Sequence, residues 1–170
     1  MKELNGVDLF DVDCDVVCIT TNGFVKANGE AVMGRGCAYE LAQLFPRVPR
    51  ILGAMIKQHG NIVQQIMMAN DTIAVAFPVK HARDVFDGSN VVAHATGNYR
   101  MGQLVPGFHL KADIELIKQS AIQLRDWVEI RGFKSVVLPR AGCGAGELDW
   151  ATVKPILDAI LDDRFTAVTK

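Results

Sequence analysis

The chain has 170 residues, 49% of them hydrophobic and 22% charged, with a formal net charge of −1. That length and balance fit one soluble globular domain with a sizeable core. Duplex nucleic acid as the main partner would demand a basic face, and the near-neutral charge, with no long run of one sign, shows none. No apolar stretch approaches the roughly 20 residues of a membrane span. The opening Met1-Lys-Glu-Leu-Asn-Gly6 lacks the apolar centre of a signal peptide, so a cytoplasmic protein is expected. The cysteines, Cys14, Cys18, Cys37 and Cys143, form no C-x-x-C pair. Reduced thiols and no bound metal are expected.

In chain order, Val7 to Phe10 reads as an edge strand and Asp15 to Thr20 as a β-branched central strand. Thr21 to Met33 is a loop rich in Asn and Gly. Gly34 to Phe45 carries Ala38, Leu41, Leu44 and Phe45 on one side and predicts a helix, broken by Pro46 and Pro49. Ile51 to Gln58 predicts a shorter helix closed by Gly60. Asn61 to Met68 and Thr72 to Val79 read as strands joined by a turn at Asn70-Asp71. His81 to Lys111 is a long segment with Gly, Asn and Pro throughout, and a loop of that length is usually functional or mobile. Asp113 reads as the N-cap of a helix running to Gly132. Val136 to Leu138 predicts a buried strand ending at Pro139. A last helix begins at Asp149 or Thr152, and Arg164 to Thr169 reads as the final strand. Strands alternating with helices give the α/β class, with a mixed sheet between helical layers.

Two glycine segments stand out. Pro139-Arg-Ala-Gly-Cys-Gly-Ala-Gly-Glu147 lies between a strand and a helix start, and Met33-Gly-Arg-Gly-Cys-Ala38 also precedes a helix. Glycine lets the backbone approach an anion closely. A helix start adds unpaired N–H donors and a partial positive charge. Two such loops facing each other suit the two halves of a diphosphate. Neither follows the G-x-G-x-x-G dinucleotide fingerprint or the G-x-x-x-x-G-K-[ST] of a P-loop. The histidines, His59, His81, His94 and His109, have no metal-ligand spacing.

Leu138-Pro-Arg-Ala-Gly-Cys-Gly-Ala-Gly-Glu-Leu-Asp-Trp150 resembles the second ligand loop of macrodomains. It is most like the branch with terminal ADP-ribose protein glycohydrolases, DNA ADP-ribosyl glycohydrolase antitoxins and related phage proteins. Val32-Met-Gly-Arg-Gly-Cys-Ala38, with Leu44-Phe-Pro46, resembles that branch's first loop and helix. Asp8-Leu-Phe10 resembles its opening motif, Phe77-Pro-Val-Lys80 its lysine motif, and Ile117-Lys-Gln-Ser-Ala121 the helix that follows. The similarity touches most of the chain, so residues 1–170 are expected to form one three-layer α/β/α macrodomain with an insertion-like loop at about 81–111.

The resemblance implies ADP-ribose, or an ADP-ribosylated substrate, as the ligand, and no cofactor. It implies that Asp8, with Leu9, meets the adenine. Gly34, Arg35, Gly36 and Cys37 would hold the diphosphate from one side, and Gly142, Cys143, Gly144, Ala145, Gly146 and Glu147 from the other. Asn22 and Asn28 both qualify to meet the distal ribose. Lys80 matches the lysine that attacks or stabilises the anomeric carbon, which implies hydrolysis of ADP-ribosyl linkages to nucleic acid, protein or a small acceptor. An ADP-ribose 1''-phosphate phosphatase and a non-catalytic reader are the alternatives. Gly146 stands where the protein glycohydrolases carry a catalytic Asp, and Glu147 and Asp149 are the nearby carboxylates. Cys143 is conceivable as a nucleophile, and His81 as a proton carrier beside Lys80. Segment 81–111 is expected to fold over the distal ribose as a lid, reading the acceptor through Arg83, His94, Tyr99 and Arg100.

Overall fold

A computed structural model describes residues 1–170. Strand β2 (Val16–Thr21) lies inside a six-stranded sheet with β1 (Lys2–Asn5), β3 (Gln64–Ala69), β4 (Thr72–Pro78), β7 (Val136–Pro139) and β8 (Phe165–Thr169). The order is β1-β8-β7-β2-β4-β3, and only the β3–β4 pair is antiparallel. Side chains alternate along a strand, and here both faces are covered. Val16 and Cys18 point into one apolar cluster with Phe77, Leu138 and Phe165. Helices α3 (Ile114–Arg131) and α4 (Trp150–Asp158) seal it with Ile117, Leu124 and Leu157. Val17 and Ile19 point the other way, against Leu41 of α1 (Gly36–Leu44) and Leu52 of α2 (Val48–His59). The result is the expected three-layer α/β/α arrangement with a mixed sheet.

Local chemistry sets the boundaries. Asn70 and Asp71 both take positive φ, 49° and 65°, as a tight turn between antiparallel strands needs. Asp113 caps α3 through the Glu115 and Leu116 N–H groups, and Gly132 ends it in the left-handed region at φ 73°. Asp149 accepts from the Ala151 N–H and starts α4.

Several expectations shift. The edge strand is Lys2–Asn5, not Val7 to Phe10. Gly6 turns the chain at φ 72°, and Leu9–Asp11 forms a 3-10 turn whose Phe10 N–H bonds the Asp8 carboxylate. Helix α1 begins at Gly36 rather than Gly34. Helix α2 is longer than read, because Pro49 sits in its first turn, where no N–H is missed. Helix α4 begins at Trp150, just after its cap Asp149, and contains Pro155.

The largest difference is at 81–111, which is not a bare loop. Strands β5 (Arg83–Val85) and β6 (Leu104–Pro106) form a hairpin, followed by a 3-10 turn at Gly107–His109. Ala93–Asn98 is a second 3-10 element. Phe86, Val91, Val92, Ala95, Val105 and Leu110 bury one another as a small core of their own. The short apolar run Val91-Val92 lies at its centre.

Candidate functional site

Strands β2, β4 and β7 run parallel, so their carboxyl ends lie at one edge of the sheet, the edge where open α/β sheets bind ligands. The chain leaves β2 through Asn22, whose Nδ2 donates to the Val32 carbonyl and whose Oδ1 accepts from the Phe24 N–H. These bonds pinch the loop and deliver Gly34 and Arg35 to the start of α1. No side chain caps that start. Its first N–H groups therefore remain available to an anion. Gly36 takes φ 58°, which a residue with a side chain rarely adopts.

The loop after β7 is held from behind. Gly142 has φ 75°, and a Cβ there would lie 2.8 Å from Ile117 and 2.9 Å from Ala112. The Leu148 N–H donates to the Gly142 carbonyl, and the Ala112 N–H to the Gly146 carbonyl, at 3.0 and 2.9 Å. Gly146 has no room for a side chain: its Cβ would press into the Gly142 carbonyl and sit 2.6 Å from Ala112. Gly144 is the opposite case, with no atom within 4 Å of a Cβ. The N–H groups of Gly144, Ala145 and Gly146 donate to no backbone carbonyl, which leaves three unused donors in this loop.

Between the two loops is a cavity of about 310 Å³. Asn22, Gly34, Arg35, Gly36, Cys37, Lys80, Gly142, Gly144, Ala145 and Gly146 all line it. Its charged walls are Arg35, Lys80 and Arg140, and no carboxylate is among them. Lys80 is 5% exposed, and its Nζ donates to the Ala145 carbonyl at 2.9 Å. Burial pulls its pKa down to about 8; the Arg35 charge lowers it too, and Glu147 acts in the opposite direction.

The other expected residues sit elsewhere. Asp8 is outside the cavity walls, its carboxylate shared between the Phe10 N–H and Lys170 Nζ, the latter at 2.6 Å. Leu9 is buried in the core beneath α1. Asn28 is exposed and turned away, accepting from the Glu30 N–H within its own turn, so of the two asparagines only Asn22 reaches the cavity. Cys143 turns its Sγ to the Ala141 carbonyl, and burial pushes its thiol up to about 11, the reverse of an activated nucleophile. Glu147, at φ 60°, accepts from the Ala93 N–H and ties the second loop to segment 81–111. His81 is bound to Asp113 at 2.7 Å and is not a wall of the cavity.

Segment 81–111 supplies a wall of its own. His94, Phe108 and His109 line the cavity. Arg35 donates to His94 Nε2 at 3.3 Å, joining the first loop to the segment. Tyr99 reaches the cavity only through His109, Arg83 lies over the Phe24 ring, and Arg100 is exposed. Thr20, Phe108, His109 and Arg140 were not singled out by sequence reasoning.

No family model matches the chain, and no curated protein matches it in sequence. Solved structures do. The macrodomain of Mycobacterium tuberculosis DarG superposes with a TM-score of 0.70 at 17% identity, covering 100% of this chain and 98% of that one. The macrodomain of Thermus aquaticus DarG gives 0.66 at 18% identity, covering 99% and 97%. Thermosipho africanus DarTG in complex with ADP-ribose gives 0.67 at 19% identity, covering 98% of this chain and 41% of that one. The chain has the macrodomain fold.

Proposed function

We propose that this chain of macrodomain fold binds ADP-ribose in the cavity between its two glycine loops and hydrolyses ADP-ribosyl linkages at the anomeric carbon of the distal ribose. Residues 1–170 are read as one macrodomain with 81–111 inserted beside the reacting end. The observation that carries the catalytic half is Lys80: a buried amine with its pKa lowered to about 8, at the wall of a cavity that holds no carboxylate. At pH 7 roughly a tenth of such an amine is unprotonated, against far less than a hundredth for a solvent-exposed lysine. An amine so poised is a competent nucleophile.

The diphosphate is assigned to the free N–H groups of Gly144 to Gly146 and to the start of α1, with Arg35 and Arg140 adding charge. On this reading the distal ribose lies toward Asn22 and Lys80. Gly146 leaves no space for the Asp that the protein glycohydrolases carry, which favours a lysine-based reaction over one led by a carboxylate in that loop. The bound acceptor is nucleic acid, protein or a small molecule. A non-catalytic reader is the second reading, supported by the same lack of a carboxylate in the cavity.

The test is Lys80→Ala, assayed for ADP-ribose affinity by calorimetry and for turnover on ADP-ribosylated DNA, ADP-ribosylated protein and ADP-ribose 1''-phosphate. Retained affinity with turnover lost by about 100-fold or more is expected of the hydrolase. A wild-type chain that binds ADP-ribose and turns over nothing is a reader, and phosphate release alone marks a phosphatase.

A further inference from the structure

His109 is the one histidine whose placement is fixed from several sides. Its Nδ1 and the Tyr99 hydroxyl are 2.6 Å apart. The Phe108 and His94 rings pack edge-on against its own, with centroids at 4.6 and 6.0 Å. The 3-10 turn that carries it, Gly107–His109, is anchored by the Gly107 N–H donating to the Ala82 carbonyl at 2.8 Å. Gly107 is also pressed so close to the Asn22 and His81 carbonyls that no Cβ fits. The turn is thereby clamped to the residue after Lys80 and to the pinch residue of the first loop, so His109 is held in register with both.

Transfer at the anomeric carbon needs a proton carrier. No Asp or Glu lines the cavity. An arginine can only donate, so His94 Nε2 is already used as the acceptor for Arg35. Cys143 is turned away and His81 is taken by Asp113. In the tautomer whose Nδ1–H donates to the Tyr99 hydroxyl oxygen, the Nε2 of His109 carries a free lone pair and is the one unengaged basic atom on the walls.

We propose that His109, oriented by Tyr99, is the proton carrier of the site: it takes a proton from the Lys80 nitrogen and delivers it to the departing acceptor. This rests on the hydrolytic reading given above. The Lys80 amine forms its bond to the anomeric carbon with its own electron pair. The bond from that carbon to the acceptor breaks, and its pair leaves with the acceptor. The nitrogen, now carrying two protons and a positive charge, gives one to His109 Nε2, which passes it to the acceptor. Water then adds to the same carbon, releasing ADP-ribose and the free amine. The net reaction consumes one water and yields one protonated acceptor.

The groups facing His109 suit this role. Tyr99 meets it from its own segment, His94 from the 3-10 element, Lys80 from the end of β4 and Arg35 from the first loop. Burial, with the charges of His94, Lys80 and Arg35, lowers its pKa below the ordinary histidine value. It therefore stays neutral, and able to accept, at neutral pH.

The test compares the full wild-type chain with His109→Gln, His109→Ala and Tyr99→Phe on whichever ADP-ribosylated substrate of the panel wild type cleaves. His109→Gln is expected to lower kcat by about 100-fold, in the range of general-base contributions, with ADP-ribose affinity unchanged. Added imidazole is expected to restore much of the kcat of His109→Ala. Tyr99→Phe should lower kcat by about tenfold, as a positioning residue. In wild type the acid limb of kcat/KM against pH should reach a slope of two, for Lys80 and His109, and in His109→Gln a slope of one. Full turnover in His109→Gln, or a His109→Ala variant that binds ADP-ribose but ignores imidazole, overturns the assignment while leaving hydrolysis by Lys80 intact. A wild-type chain that binds ADP-ribose and cleaves nothing overturns both.

Discussion

Lys80 Nζ donates a 2.9 Å hydrogen bond to the carbonyl of Ala145, joining the end of β4 to the middle of the second glycine loop. The bond holds the amine at the rim of the proposed diphosphate cradle while the sheet and the 81–111 segment keep it from water. Burial is the largest cause of its lowered pKa. The group proposed to react is therefore also one that costs the fold stability.

Replacing Lys80 by Met should stabilise the protein at neutral pH by about 1–3 kcal/mol, since the cost of burying the charge disappears and one hydrogen bond is lost. The sign follows from the pKa, about 8 folded against 10.5 for the free side chain. Below pH 8 both states are protonated and the folded chain bears the full cost. Between pH 8 and 10.5 the folded amine loses its proton first, and the cost fades. Urea unfolding at pH 7 and pH 10 should show the advantage of Lys80→Met shrinking with pH. A constant gap would contradict the burial argument.

Glu147→Gln should move the Lys80 pKa further down, because the Glu147 charge opposes the shift. The amide oxygen can still accept from the Ala93 N–H, so the tie to the insertion is kept. The pH at which kcat/KM levels off should fall by several tenths to one unit. An unmoved profile would mean that Glu147 is too well solvated to act on Lys80.

The glycine loop offers two contrasting substitutions. Gly144→Val adds a side chain where no protein atom stands, so the melting temperature should hold while ADP-ribose affinity falls by about 100-fold or more. Gly146→Asp forces atoms into the Gly142 carbonyl and Ala112, so it should destabilise the fold by about 1–3 kcal/mol and create no carboxylate-driven activity. Thermal melts and calorimetry on the pair separate a ligand-facing glycine from a packing one. Normal affinity in Gly144→Val would remove that loop from the cradle.

Much of this site was readable because its key residues are short-range statements. Gly142, Gly144 and Gly146 lie between a strand and a helix start, and β-branched runs marked the strands around them. Lys80 follows its strand by two positions. What could not be read depends on contacts between distant positions. His94 meets Arg35 across 59 residues and Glu147 meets Ala93 across 54. No local pattern announces either. The 81–111 segment read as a loop because its strands are three residues long and its core of six side chains assembles only in space. Asn28 looked equivalent to Asn22 in sequence, and only the pinch of Asn22 across the loop tells them apart.

A crystal structure of the protein with ADP-ribose tests the central claim most directly. The account predicts the diphosphate within hydrogen-bond distance of the Gly144 to Gly146 N–H groups and of the first turn of α1, with the anomeric carbon beside Lys80. ADP-ribose bound outside this cavity, or absent at saturating concentration, would contradict it.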